Sequence, residues 1–148
     1  NKKAYHDDKR VIVPVRGVDL KAFSDTKGKY YIHFLNPTCP SSLHSVYRLD
    51  SLSKAGYNII VISNRRSYNA IDRRLGKTSF AQYPYYIVDE ADYTDYLLWR
   101  EIGFMQEACP ECYEAISDHI PIVAFVLIED GNVKLVEYSS DENPLRHG

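Results

Sequence analysis

Cys39 is the residue in this chain best placed for chemistry. It lies in Tyr30–Ser42, YYIHFLNPTCPSS, where an apolar stretch runs through Asn36-Pro37 into Cys39-Pro40-Ser41-Ser42. Pro40 suits a first helical turn, where its missing N–H is no loss. That makes Cys39 the expected N-cap, its sulfur facing unpaired backbone N–H groups and the positive end of a helix dipole. Such a setting favours thiolate, and comparable cysteines have pKa values of about 3.5–7.5. Cys109-Pro110-Glu111-Cys112 is a second sulfur motif. Its spacing permits a structural disulfide, a dithiol that resolves Cys39, two reduced thiols or half a metal site. Zn²⁺ prefers four ligands, and the nearby donors are His119, Glu107, Glu111 and Glu114, so no metal site is assigned. His33 reads as a core histidine and His119 as a surface residue.

Beyond these residues the chemistry is sparse. Arg65-Arg66 and Arg73-Arg74 form a basic cluster that reads first as a solvated face and second as an anion or acidic-partner surface. Asp7-Asp8 and Asp89-Glu90 fall in turn-like stretches. There is no glycine-rich phosphate loop, serine nucleophile elbow or HExxH motif, and no cofactor is implied.

The elements that must position Cys39 follow from periodicity. Val11–Val15 and Tyr30–Leu35 read as strands, with Pro14 confining the first to an edge or an end. Leu43, Val46, Leu49 and Leu52, with Tyr47 beside them, describe a helix that Gly56 should end in a left-handed conformation. Tyr57–Ser63 has the unbroken Ile-Ile-Val-Ile centre of a strand covered on both faces. Strand, helix and strand then make one right-handed βαβ unit. Asn69–Leu75 reads as a short helix ended by Gly76, and Tyr85–Val88 as a strand after Pro84. Asp92–Gln106 reads as a helix whose Leu98, Trp99, Ile102 and Met105 share a face. Ile122–Ile128 and Val133–Tyr138 flank Glu129-Asp130-Gly131-Asn132, a hairpin signal.

A chain of 148 residues with net charge −2 reads as one α/β domain spanning 11–138, after a frayed segment 1–10 and before a polar tail 139–148. The interspersed charges give no nucleic-acid footprint, and no apolar run could span a bilayer. Three cysteines fit one reactive thiol plus one pair, and equally three unrelated free thiols in a cytosolic protein. Asn1 is not methionine, which fits removal of a leader from an exported chain, periplasmic or membrane-anchored; a cytoplasmic location is the alternative.

Taken together, these features resemble thioredoxin-fold proteins of the TlpA/ResA-like branch, which is related to peroxiredoxins. Lys27-Gly28-Lys29 leads into the central strand, Cys39-Pro40-Ser41-Ser42 stands at the strand-to-helix junction, and Ile120-Pro121 precedes the hairpin strand. The resemblance implies a thioredoxin-like fold, with a central mixed sheet flanked by helices and a C-terminal antiparallel hairpin. It also implies a cis-proline at Pro121 facing Cys39, with Thr38, Pro40, Ile120 and Pro121 forming a substrate groove. Ser42 replaces the resolving cysteine of the family's Cys-x-x-Cys, and Thr38 stands where Trp is common. Asn36 stands where the peroxiredoxin Thr-x-x-Cys pattern needs Thr.

The implied activity is thiol–disulfide exchange on a protein disulfide or thiol substrate, by a monothiol Cys39 with Ser42 as a hydrogen-bonding neighbour. Release would come from an external thiol, Cys109 or Cys112, because serine cannot resolve a mixed disulfide. The alternative is a non-catalytic module that holds an extended partner peptide in the same groove.

Overall fold

The computed structural model describes residues 5–7, 10–20, 22, 28–39, 42–90, 93, 97–114 and 123–147. Its strands are β1 (Tyr5–Asp7), β2 (Arg10–Val15), β3 (Lys29–Leu35), β4 (Asn58–Ser63), β5 (Tyr85–Val88), β6 (Val123–Glu129) and β7 (Asn132–Glu137). Helices α1 (Ser42–Lys54), α2 (Tyr68–Leu75), α3 (Leu97–Ala108) and α4 (Pro110–Glu114) connect them, with 3-10 turns at Gly17–Leu20 and Pro144–His147. The strands form a single mixed sheet in the order β1-β2-β5-β4-β3-β6-β7. β2, β5, β4 and β3 run parallel, while β1, β6 and β7 are antiparallel to their neighbours.

Alternation along the strands divides the core between two faces. Ile32 of β3, Ile62 of β4, Val88 of β5 and Val126 and Ile128 of β6 face α3, meeting Ile102, Phe104, Met105 and Ala108. Leu35, Tyr85 and Ile87 point the other way, onto Val46 of α1 and Ile71 and Leu75 of α2. The chain winds β3-α1-β4-α2-β5 toward one edge, then returns through α3 on the opposite face to place β6 on the far side of β3.

Local chemistry sets the element ends. Gly56, at φ +102°, closes α1 while Tyr57 N–H donates to Leu52 O at 3.1 Å and Gly56 N–H to Ser53 O at 3.1 Å, a Schellman stop. Asp130 and Gly131, at φ 47° and 85°, make the hairpin turn. Asp130 also ties this turn to the one before β3, accepting from Gly28 N–H at 3.2 Å and donating its own N–H to Gly28 O at 2.9 Å.

Several expectations change in three dimensions. The lead segment is paired, Tyr5–Asp7 lying against Arg10–Ile12 of β2. β2 therefore lies between β1 and β5 at Ile12, and Pro14 falls after the last described pairing with β1. The tail folds back because Asn143, 1% exposed, donates to Tyr138 O and accepts from Leu145 N–H, while Leu145 packs on the core. Tyr47 is exposed, so α1 buries a narrower stripe than its spacing suggested. Helix α3 continues beyond Gln106 to Ala108, and the side chains of Leu98 and Trp99 lie outside those described.

β4 is fully buried only at its end. It pairs with β5 at Ile62↔Tyr86 and Ser63↔Ile87 alone, because β5 begins at Tyr85. Below these pairs Ile59, Ile60 and Val61 stay partly exposed beside a half-open cleft of about 210 Å³, which also touches Leu75, Phe80 and Tyr85.

Candidate functional site

Cys39 stands on a tight turn directly after the central strand. Its N–H donates to Asn36 O at 3.2 Å, and Asn36 Oδ1 accepts from Thr38 N–H at 3.3 Å and from Thr38 Oγ1 at 2.9 Å. Asn is suited to this position because its side chain can bond the backbone two residues on. Two neighbours hold the turn to the sheet. Asn64 N–H, just past β4, donates to Leu35 O at 2.9 Å, and Arg74 Nε of α2 donates to Pro37 O at 2.9 Å. Pro37 is buried, Thr38 exposed, and Cys39 partly exposed and outside any disulfide.

The topology makes this end of the sheet the natural place for a ligand. Open α/β sheets bind ligands beyond the carboxyl ends of parallel strands where the winding reverses. That reversal falls at β3, since β4 and β5 lie on one side of it and β6 on the other. The hydrogen-bonded pairing of β3 with β6 ends at Ile32↔Val126, three residues short of Leu35. There His33 Nδ1 lies 3.2 Å from Ala124 O, and burial lowers the histidine's pKa, as suits a core histidine rather than a base.

Behind the turn lies a polar group that sequence reasoning missed. Asn64, 3% exposed, donates from Nδ2 to Glu101 Oε1 at 3.3 Å, and its backbone oxygen accepts from Arg100 Nη1 at 3.0 Å. Among the described residues Asn64 Oδ1 is buried with no hydrogen-bond partner. Burial pushes the Glu101 carboxyl up, and the Asn64 hydrogen bond opposes this only in part. Adjacent Arg100-Glu101 on an amphipathic helix looks solvated in sequence, and only the end of β4 turns the pair inward.

Pro40, Ile120, Pro121 and His119 lie outside the described residues, as does the side chain of Ser42, the first residue of α1. The expected Cys39 cap, its Ser42 neighbour and the groove at Ile120-Pro121 therefore fall on residues not described. Among the described residues the cis peptide bond is Tyr83–Pro84, directly before β5.

Cys109 and Cys112 form a disulfide with Cα atoms 5.3 Å apart. Cys109 is fully buried and Cys112 partly exposed. Both sulfurs lie 3.5 Å from Val133 O. Val133 pairs with Ile128, which pairs with Tyr30 near the start of β3. Five residues of strand then lead to Leu35, about 17 Å at ~3.3 Å per residue, and Cys39 lies beyond. The pair and Cys39 sit at opposite ends of the sheet. A carbonyl oxygen facing both sulfurs would also favour a protonated thiol over a thiolate after reduction.

Among the described residues, no group of three or more His, Cys, Asp or Glu is arranged to hold a metal ion, and no helix is long and apolar enough to cross a membrane. No protein-family model, curated protein or solved structure matches the chain.

Proposed function

We propose that this is a thioredoxin-like domain that performs thiol–disulfide exchange through Cys39. The observation that carries the reading is the position of Cys39: a partly exposed thiol on the turn after the central strand, at the point where the winding reverses. The arrangement of β3, α1 and β4, with an antiparallel β6-β7 hairpin across β3, supports a thioredoxin-like fold. Thr38, Pro40, Ile120 and Pro121 form the substrate groove in this reading, and Ser42 is the hydrogen-bonding neighbour of the sulfur.

The reaction begins with attack of the Cys39 thiolate on one sulfur of a protein disulfide. A bond forms between Cys39 Sγ and that sulfur as the substrate S–S bond breaks, and the departing thiolate takes a proton from water. Resolution by Cys109 or Cys112 would have to cross the length of β3, so an external thiolate attacks the substrate sulfur of the mixed disulfide. A new S–S bond forms there as the Cys39–substrate bond breaks and Cys39 leaves as thiolate. The Cys109–Cys112 disulfide acts as a structural staple and favours an oxidising compartment.

The test is alkylation of Cys39 by iodoacetamide across pH, with Cys39→Ser as the blank. The expected result is rapid reaction at pH 6 with a midpoint below that of an ordinary thiol near 8.5. A slow reaction with an ordinary midpoint would reject the enzyme and favour a module that only holds a partner peptide.

A further inference from the structure

The end of the sheet that carries Cys39 has a local charge at odds with the chain, whose net charge is −2. Arg65 and Arg66 follow β4 directly, next to the Leu35–Asn64 hydrogen bond from which the Cys39 turn starts. Arg73 and Arg74 occupy the last turn of α2. Arg74 touches the turn itself through Nε on Pro37 O at 2.9 Å, with no described partner for its terminal nitrogens.

The acids described at this end are largely engaged. Glu90 accepts from Arg66 N–H at 3.0 Å, with its carboxylate 3.8 Å from Arg66 Nε, and Glu101 is turned inward onto Asn64. Arg65 and Arg73 are exposed, and among the described residues no carboxylate is paired with either. A guanidinium fork matches carboxylate geometry, so this rim is suited to carboxylates on an extended chain.

We propose that the substrate of Cys39 is an acidic polypeptide segment, with Asp or Glu residues flanking its disulfide cysteine and docking on Arg65, Arg73 and Arg74. This rests on the thiol–disulfide reading above and adds the substrate's charge. The gain is in encounter and register: a basic rim beside a reactive group raises association rates by about 10- to 1,000-fold and aligns the incoming chain. The exchange step is unchanged, with the Cys39–substrate S–S bond forming as the substrate disulfide breaks and an external thiol completing release.

The test uses three peptides that share one central cysteine, carried as a mixed disulfide with 5-thio-2-nitrobenzoate, and differ only in flanking Glu, Gln or Lys. Release of the chromophore by the full chain should be fastest for the Glu peptide, about 10-fold above Gln at low salt, and slowest for Lys. The differences should collapse in 0.5 M NaCl, where charges are screened within a few ångströms. Charge reversal in R65E/R73E should invert the order.

Equal rates for the three peptides, insensitive to salt, would overturn the proposal even if Cys39 reacts. Docking is also read without chemistry, by fluorescence anisotropy of labelled cysteine-free Glu and Lys peptides on Cys39→Ser. Preference for the Glu peptide there supports the acidic docking rim whatever the reactivity of Cys39, and equal or absent binding overturns it. An inert Cys39 in the iodoacetamide assay rejects the exchange reading by a separate measurement.

Discussion

Gly17 is where a single added methyl group should do most damage. It begins the 3-10 turn that carries the chain from β2 onto the face occupied by α3. A Cβ at this position would lie 2.1 Å from Phe104 O, 2.7 Å from Ala108 N and 2.7 Å from Glu107 Cβ. Carbon and carbonyl oxygen approach no closer than about 3.3 Å, so the obstacle must retreat by about 1 Å. The obstacle is helix backbone, which cannot rotate away. Moving α3 would loosen Ile102, Phe104, Met105 and Ala108 against the sheet and lengthen the hydrogen bond from Gly17 N–H to Tyr93 Oη, now 2.9 Å. Overpacking of this kind costs about 1–3 kcal/mol, and the hydrogen bond about 1 more, so Gly17→Ala should lose about 3 kcal/mol. For a chain of this size that corresponds to a Tm lower by about 6–12 °C. Urea unfolding followed by far-UV circular dichroism and by the fluorescence of Trp99 reads it directly. Gly103→Ala gives the internal scale: its Cβ would meet the Tyr93 ring at 2.9 Å, a side chain that can turn aside, and alanine is the better helix former. If Gly17→Ala falls within about 0.5 kcal/mol of wild type, or costs less than Gly103→Ala, the close approach of this turn to α3 is refuted.

Three further outcomes follow from the same geometry. Glu101 is held above its unfolded pKa by burial, so the fold is stabilised below about pH 4.3 and loses that contribution as pH rises through the folded value. Glu101→Gln keeps an acceptor for Asn64 and should raise stability at pH 7 by about 1 kcal/mol while flattening that pH dependence in urea titrations; lower stability at pH 7 would contradict the assignment. Asp50 behaves oppositely: hydrogen bonds from Ser79 and the Lys54 ammonium hold it at about 2, so its contribution is present above about pH 3.9 and lost as pH falls toward 2. Asp50→Asn should cost about 1–2 kcal/mol at pH 7 and weaken the acid dependence, and equal acid titrations for the two proteins would reject this. For the Cys109–Cys112 loop, closed at a sequence separation of 3, chain entropy gives about 2 kcal/mol, so Cys109→Ala/Cys112→Ala should lower Tm by about 4–8 °C and an unchanged Tm would remove its role as a staple.

Much of the scaffold was legible because it rests on local rules. The β-branched and aromatic residues of Tyr30–Leu35, the Gly56 stop, Tyr85–Val88 and the Asp-Gly turn each depend on local strand or φ preference, which neighbouring residues specify. Cys39 was legible as a candidate for the same reason, since strand, turn and proline are contiguous around it. The paired lead segment was less so: three residues of strand carry too weak a period to read, and their partner on β2 decides their state.

What the sequence by itself determined is therefore the longer strands and helices and the presence of a cysteine just after a central strand. Tertiary structure decided which groups share that end of the sheet. Asn64, Arg74, Arg100 and Glu101 come together there because parallel strands align their carboxyl ends while α2 and α3 return along opposite faces. The same winding carries Cys109 and Cys112 to the other end, through the register of Val133 with Ile128 and of Ile128 with Tyr30. Spacing along the chain fixes what two cysteines could do, whereas the strand register fixes how far they stand from a third.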